Sequence, residues 1–230
     1  MAEKDFNLQF PVSLVEQITE YLANEITEGK IKNGQQLVEN ELQRKFGISR
    51  GPIREAFRIL EENGFLISVP RKGTFVREIS RKDIEDNFSV RSHLESFAAS
   101  LAVSFMSDGD VKGMELALSG MTESARNNDF KSHLKHHGDF HTIFINASKN
   151  DTLIKILENL RRQATWFRFS YVHLVQEPFE YALSVHREIL DLFIKKDAHR
   201  VGSLVKEHIL VAQQGFIRLL ASRGKDETKV

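Results

Sequence analysis

Between Glu39 and Arg77 two short helical segments meet at a glycine and are followed by a basic hairpin, and few folds accommodate that order. Glu39-Asn40-Glu41-Leu42-Gln43-Arg44-Lys45-Phe46 spells a helix that stops at Gly47, where the left-handed backbone that closes a helix carries no Cβ penalty. Ser49 stands where it can cap a third helix, Arg50 to Asn63, which Gly64 ends. On that helix Ile53, Ala56, Phe57 and Leu60 share one side, while Arg50, Arg54 and Arg58 recur every four residues on a different, partly overlapping arc. Leu66-Ile67-Ser68-Val69-Pro70 and Thr74-Phe75-Val76-Arg77 then read as two short strands around the tip Arg71-Lys72-Gly73. Upstream, Val12, Val15, Ile18, Leu22 and Ile26 predict a helix running to about Gly29 with a single buried stripe. Helix, tight glycine turn, helix and basic hairpin is the order of a winged helix-turn-helix.

Charge placement agrees with a nucleic-acid role. The chain carries 32 Lys+Arg against 32 Asp+Glu, so its total charge attracts nothing. Residues 44–77, however, hold Arg44, Lys45, Arg50, Arg54, Arg58, Arg71, Lys72 and Arg77 against Glu55, Glu61 and Glu62, an excess of five. A guanidinium pairs bidentately with the acceptor edge of guanine, whereas Ser hydroxyls and Lys ammonium groups bind phosphate without reading sequence. A basic helix alone reads equally well as a solvated face; that reading leaves the glycine turn and the basic hairpin unexplained.

With 230 residues, 41% of them apolar, the chain can build one large domain or two ordinary ones. The absence of cysteine excludes disulfides, a thiolate nucleophile, iron–sulfur clusters and cysteine-type zinc sites. The longest uncharged stretch, Ser96–Ser107, spans twelve residues, short of the roughly twenty that cross a bilayer. Met-Ala-Glu-Lys-Asp at the start lacks a signal peptide's apolar core, so the expectation is a cytoplasmic protein without a membrane partner.

Beyond residue 80 the texture changes to long amphipathic segments, predicted as helices at about 81–106, 110–126, 129–148, 151–172, 179–195 and 197–222. Turn signals separate them, among them Ser107-Asp108-Gly109-Asp110, Asn127-Asn128-Asp129 and Glu177-Pro178. Ser80 and Asp83 have the spacing of a capping box for the first of these helices. The expected class is mostly α: a winged helix-turn-helix over 1–79, an all-helical bundle over 80–222 and a polar tail over 223–230. Phe97, Phe105, Phe140, Phe144, Phe167, Phe169, Phe193 and Phe216 are expected in its core.

Nine histidines are few enough to sort: His93, His133, His136, His137, His141, His173, His186, His199 and His208. His137 and His141 stack on one helical face, a spacing that can share a metal. His186 and His208 are flanked by apolar residues at helical steps, which turns their rings inward; alone, each reads first as a satisfied core histidine. Arg91 is a candidate carboxylate clamp, because a planar fork suits a carboxylate, or else a surface ion pair with Glu95 one turn on. Arg161, Arg162 and Arg168, near Trp166, can line a cavity or a subunit contact.

The run from Glu39 to Leu66, followed by Pro70-Arg71-Lys72-Gly73-Thr74-Phe75-Val76, resembles the winged-helix signature of GntR-type bacterial transcription regulators over about residues 12–78. That resemblance implies DNA contacts from Arg50 and Arg54, a phosphate contact from Ser49, and a wing tip of Arg71, Lys72 and Gly73 along the minor groove. Arg58 joins them as the third member of the basic arc. Many members of the family carry arginine where this chain has Asn40, so a contact there is weaker or differently specified.

Asp139-Phe140-His141-Thr142-Ile143-Phe144, His186-Arg187-Glu188-Ile189-Leu190 and Lys206-Glu207-His208-Ile209-Leu210, with Val90-Arg91-Ser92-His93-Leu94-Glu95 before them, resemble the FCD ligand-sensing domain of the FadR-like branch. The resemblance implies an all-helical sensor in which an Asp and three His hold a divalent cation at the floor of a small-molecule cavity. It also implies a homodimer that reads two half-sites of a palindromic operator. This chain departs from the pattern: His137 stands where the family has its Asp, four residues before His141. Asp139 lies only two residues before His141, about 200° around a regular helix, and replaces it only if Gly138 distorts the helix.

Four imidazoles from His137, His141, His186 and His208 would favour zinc, nickel or cobalt over magnesium or calcium. They would also leave the cation's charge uncompensated, which calls for an anionic effector such as a small organic acid. The competing reading is a metal-free cavity that takes an organic ligand directly. Two rivals of other classes are a metal-dependent hydrolase with Glu207 or Asp139 as base and a sequence-indifferent nucleoid binder. The expectation is a ligand-responsive regulator that is no enzyme.

Overall fold

The computed structural model describes residues 12–171 and 179–226; His173 and the Glu177-Pro178 turn lie outside them. The chain divides into two compact units, Met1–Glu78 and Ile79–Val230.

In the first unit Ser13 and Glu16 form a capping box, each accepting the other's backbone N–H, and open helix α1 (Leu14–Thr27). Ile18, Leu22 and Ile26 are buried as the periodicity predicts, but Val12 is 63% exposed, because the cap at Ser13 starts the helix at Leu14, two residues beyond it. Helix α2 (Glu39–Phe46) ends at Gly47, whose φ of 66° lets its N–H return to the Gln43 carbonyl at 2.9 Å. Helix α3 (Arg50–Glu62) packs Ile53, Ala56, Phe57 and Leu60 inward against α1.

Strand β1 (Gln36–Leu37) joins β2 (Leu66–Val69) and β3 (Gly73–Val76) in an antiparallel sheet of order β1-β3-β2. The pairings Ser68 with Thr74 and Val69 with Gly73 make the predicted hairpin. β1 was not legible in the sequence, because two residues cannot display a period of two.

In the second unit the capping box of Ser80 and Asp83 opens α4 (Arg81–Ala102), and Ser107 with Asp110 opens α5 (Asp108–Arg126) in the same way. Asp129 caps α6 (Phe130–Ala147) by accepting the Ser132 N–H. Helices α7 (Asp151–Tyr171), α8 (Phe179–Ile194) and α9 (Ala198–Asp226) complete the bundle. α4 packs closely along α9 because Gly202 has no Cβ to collide with Ser96 and Ser100. Phe88, Phe140, Phe144, Ile189, Val201 and Val205 lie in the core.

α4 stops at Ala102, short of the expected residue 106, since Val103 to Met106 turn to meet the Ser107 cap. Phe105 thereby leaves the helix and is 54% exposed, and Phe97, on the outer face of α4, is 51% exposed; neither is a core residue. No helix among the described residues is long and apolar enough to cross a membrane.

Candidate functional site

The first unit presents an exposed basic ridge. Ser49, Arg50, Arg54, Arg58, Arg71, Lys72 and Gly73 are all exposed. Ser49 occupies the N-cap position of α3 but its hydroxyl makes no capping bond, which leaves that oxygen for another partner. The Arg54 guanidinium donates from Nε to both oxygens of Glu39, at 3.0 and 2.9 Å. Arg50 donates to the Gln43 side chain at 3.3 Å, and Arg58 pairs with Glu55 at 3.1 Å and Glu62 at 3.6 Å. Exposed pairs of this kind cost little to exchange for phosphate or base partners.

Two residues that the sequence did not single out shape the hairpin. Glu61 on α3 accepts both the Ser68 N–H at 2.8 Å and the Ser68 hydroxyl at 3.1 Å, tying β2 to the basic helix. Gln36 on β1 donates from Nε2 to the Lys72 carbonyl at 2.8 Å and lies against Gly73, where a Cβ would sit 2.6 Å from that nitrogen. Gly73 holds φ at 113°, and Arg71 holds 63°, a left-handed conformation that glycine usually takes. The tip thus keeps a cationic side chain where the backbone prefers none.

The second unit buries its polar cluster. His137 and His141 on α6, His186 on α8 and His208 on α9 offer nitrogens that all lie within 4.8 Å of one another. α6 runs unbroken through Gly138, so Asp139 points elsewhere: it is exposed, its carboxylate 4.0 Å from His136. Glu207 is exposed as well, and neither acid belongs to the histidine group.

Around the rings sit Arg91, Glu95, Arg161 and Arg168, which with Leu134, Gly138, Ala164, Thr165 and Ile209 line a cavity of about 30 Å³, space for one or two waters. Glu95 Oε2 accepts the Nδ1–H of His141 at 2.7 Å, and His141 Nε2 lies 3.3 Å from His186 Nε2. Arg91 is buried, contrary to the surface-pair reading: its Nε is 3.5 Å from Glu95 Oε1 and its guanidinium lies 4.3 Å from the centre of the Phe88 ring. Arg161 donates to Thr142 Oγ1 at 2.8 Å and to the Gly138 carbonyl at 2.6 Å, and Arg168 Nη1 lies 3.3 and 3.4 Å from the two nitrogens of His137. Arg162 is no part of the cavity and reaches Glu158 at 3.5 Å.

The electrostatics are those of a buried, cationic pocket. Burial works to raise the Glu95 carboxyl, but the N–H that His141 donates to it and the guanidinium groups of Arg91 and Arg161 outweigh this and hold it below its ordinary value. Burial pushes His141 down against the pull of Glu95. His137 and His208 fall well below the ordinary imidazole value, first from burial, then from Arg168 beside His137 and from His186 beside His208. Neutral imidazoles are the form in which histidine ligates a metal.

The donor set fits a cation. Nitrogens bound to tetrahedral zinc at about 2.0–2.1 Å stand roughly 3.3 Å apart, the separation already found between His141 and His186. The remaining nitrogens lie at most 4.8 Å apart. Four nitrogen donors suit zinc, nickel or cobalt and not the oxygen-preferring cations.

Comparison with known proteins adds the ancestry. Residues 14–76 match the model described as bacterial regulatory proteins, gntR family, and residues 86–210 match the FCD domain. The chain is 27% identical over 207 residues to YdhC, an HTH-type transcriptional regulator of Bacillus subtilis, and 26% identical over 208 residues to the transcriptional repressor RspR of Escherichia coli. Each match covers 90% of both chains. Among solved structures, E. coli McbR/YncC superposes with a TM-score of 0.78 at 21% identity, covering 93% of this chain and all of that one (100%). A GntR regulator from Rhodococcus gives 0.72 at 20% identity, covering 88% and 97%. These relatives are regulators of transcription and not enzymes.

Proposed function

The chain belongs to the gntR family of bacterial transcription regulators with a C-terminal FCD domain, and from that premise we propose that it is an effector-responsive DNA-binding homodimer whose sensor holds a transition metal. Residues 1–79 read the operator: Arg50 and Arg54 reach base edges, Arg58 and Ser49 take phosphate, and Arg71, Lys72 and Gly73 enter the neighbouring minor groove. Two such units in a dimer read a palindromic site, and the protein works in the cytoplasm, where that DNA is.

Residues 80–222 sense. The observation that carries this is the convergence of four histidines from three helices within 4.8 Å, walled by Arg91, Arg161 and Arg168. His137, His141, His186 and His208 hold the cation, zinc or nickel, which when bound supplies an electrophilic position for an oxygen ligand. With neutral ligands and three guanidinium groups nearby, the site calls for an anion, and a small organic acid is the effector. Arg91 steers its carboxylate. The effector shifts DNA affinity only as far as it binds the DNA-competent and DNA-incompetent arrangements differently.

The test has two arms. Genomic-fragment selection with purified protein should return a palindromic site bound about 10³-fold or more above random DNA at physiological salt. Protein purified without chelator should carry zinc or nickel, and titration with small organic acids should change operator affinity only in the metal-loaded form. Sequence-indifferent binding overturns the reader assignment; failure to hold or rebind either metal overturns the sensor assignment.

A further inference from the structure

Glu95 sits at the edge of the histidine cluster yet offers it no ligand atom. We propose that it is the positioning carboxylate of that cluster: it fixes which nitrogen of His141 faces the cation and supplies negative charge that the four imidazoles lack. The inference rests on the metal reading above.

An ionised carboxylate only accepts, so the hydrogen in the 2.7 Å contact belongs to His141 Nδ1. The ring is then the Nδ1–H tautomer, and its lone pair is on Nε2, the atom 3.3 Å from His186 Nε2 and turned toward the other rings. Without that acceptor the ring can equally carry its hydrogen on Nε2, which would put a proton where the cation belongs. Both partners are buried, with side chains 2% and 4% exposed, so the bond is shielded from bulk solvent.

Charge gives the second half of the argument. Among the described residues lining the cavity Glu95 is the only carboxylate, facing three arginines. If its purpose were to neutralise Arg91, one helical turn away on α4, the tighter contact would be with that guanidinium. The opposite holds: Oε1 stands 3.5 Å from Arg91 Nε, which has no hydrogen-bond partner, while Oε2 makes the short bond across to α6. The carboxylate is committed to the histidine, and Arg91 bounds it on the far side.

Full-length protein with Glu95→Gln keeps the shape and can still accept the N–H, but without charge. Its zinc affinity, measured by competition with a chromophoric chelator, should fall about 10–100-fold, and its visible cobalt spectrum should shift from that of the unsubstituted protein. Thermal unfolding in excess chelator separates a merely structural role, which would lower the metal-free midpoint while leaving zinc and cobalt binding intact. A readout free of substitutions is the ¹⁵N spectrum of histidine-labelled, zinc-loaded protein. His141 should be protonated at Nδ1 and metal-bound at Nε2, and coordination through Nδ1 would overturn the proposal whether or not the variant folds. Wild-type protein that binds neither zinc nor cobalt sinks the metal reading itself. Wild-type binding with an unchanged Glu95→Gln affinity sinks this inference alone.

Discussion

The two units handle the same chemistry, arginine beside carboxylate, in opposite ways. On α3 the Arg54–Glu39 and Arg58–Glu55 pairs are solvated, and their side chains are readily released. Around the histidines Arg91 and Glu95 are buried, and neither can lose its partner without leaving a charge stranded out of water. An exposed pair holds a side chain in reserve; a buried one fixes geometry. On the function proposed, a surface that exchanges partners with DNA and a pocket that keeps ligand atoms in register call for the same residues at different depths.

The largest test of that contrast falls on the buried side. Phe140 is fully buried and packs edge-on to His186, ring centres 5.0 Å apart. Phe140→Ala should cost about 3–5 kcal/mol of stability by thermal or urea unfolding, and a loss under 1 kcal/mol would show the pocket to be far looser than described. Arg54→Ala should do the reverse, lowering specific operator binding by about 1–3 kcal/mol while changing stability by less than about 1. A stability loss larger than the binding loss would place Arg54 with the structural ion pairs and erase the distinction.

A smaller effect belongs to helix capping. Ser107→Ala removes the hydroxyl that accepts the Asp110 N–H and should cost about 1 kcal/mol. The Ser107 hydroxyl and backbone N–H hold Asp110 below its ordinary 3.8. Its share of stability is therefore complete above pH 3.8 and is lost as the pH falls through the lower folded value. Unfolding measured against pH should show that acid loss in the wild type and less of it in Ser107→Ala. The smallest effect is expected at the wing. Arg71→Gly relieves a left-handed arginine, so stability should stay level or rise by up to about 1 kcal/mol. The salt dependence of DNA binding should meanwhile weaken by about one unit of slope. A clear fall in stability would mean that Arg71 is held by more than its backbone.

How much of this was legible follows from the range of each signal. Periodicity and caps act within a few residues, so α2, α3 and the box at Ser80–Asp83 could be read directly, while Ser107 to Asp110 reads as a turn and proves to be a second box. The histidines were marked by their flanking apolar residues and by family likeness, and they do converge. Burial of a charge is a long-range property. Arg91 and Glu95, four apart on α4, look in sequence like any surface pair, and only the meeting of α4 with α6 shows that Glu95 bonds to His141. The uncharged run that begins at Ser96, immediately after it, was the available hint that this stretch of helix lies deep. Phe97 and Phe105 erred the other way, because an aromatic side chain reveals a preference for shelter and nothing about which face of its helix is covered. Gln36 and Glu61 were missed because a polar residue that braces a turn from a distance leaves no periodic trace.

The grip of Glu61 on Ser68 has an engineering consequence. One carboxylate fastens the hairpin to the helix that bears the arginines, so the two are coupled parts. Transplanting only the arginine-bearing face would keep that fastening. Replacing the whole helix with one lacking an acid at this position would remove both bonds to Ser68.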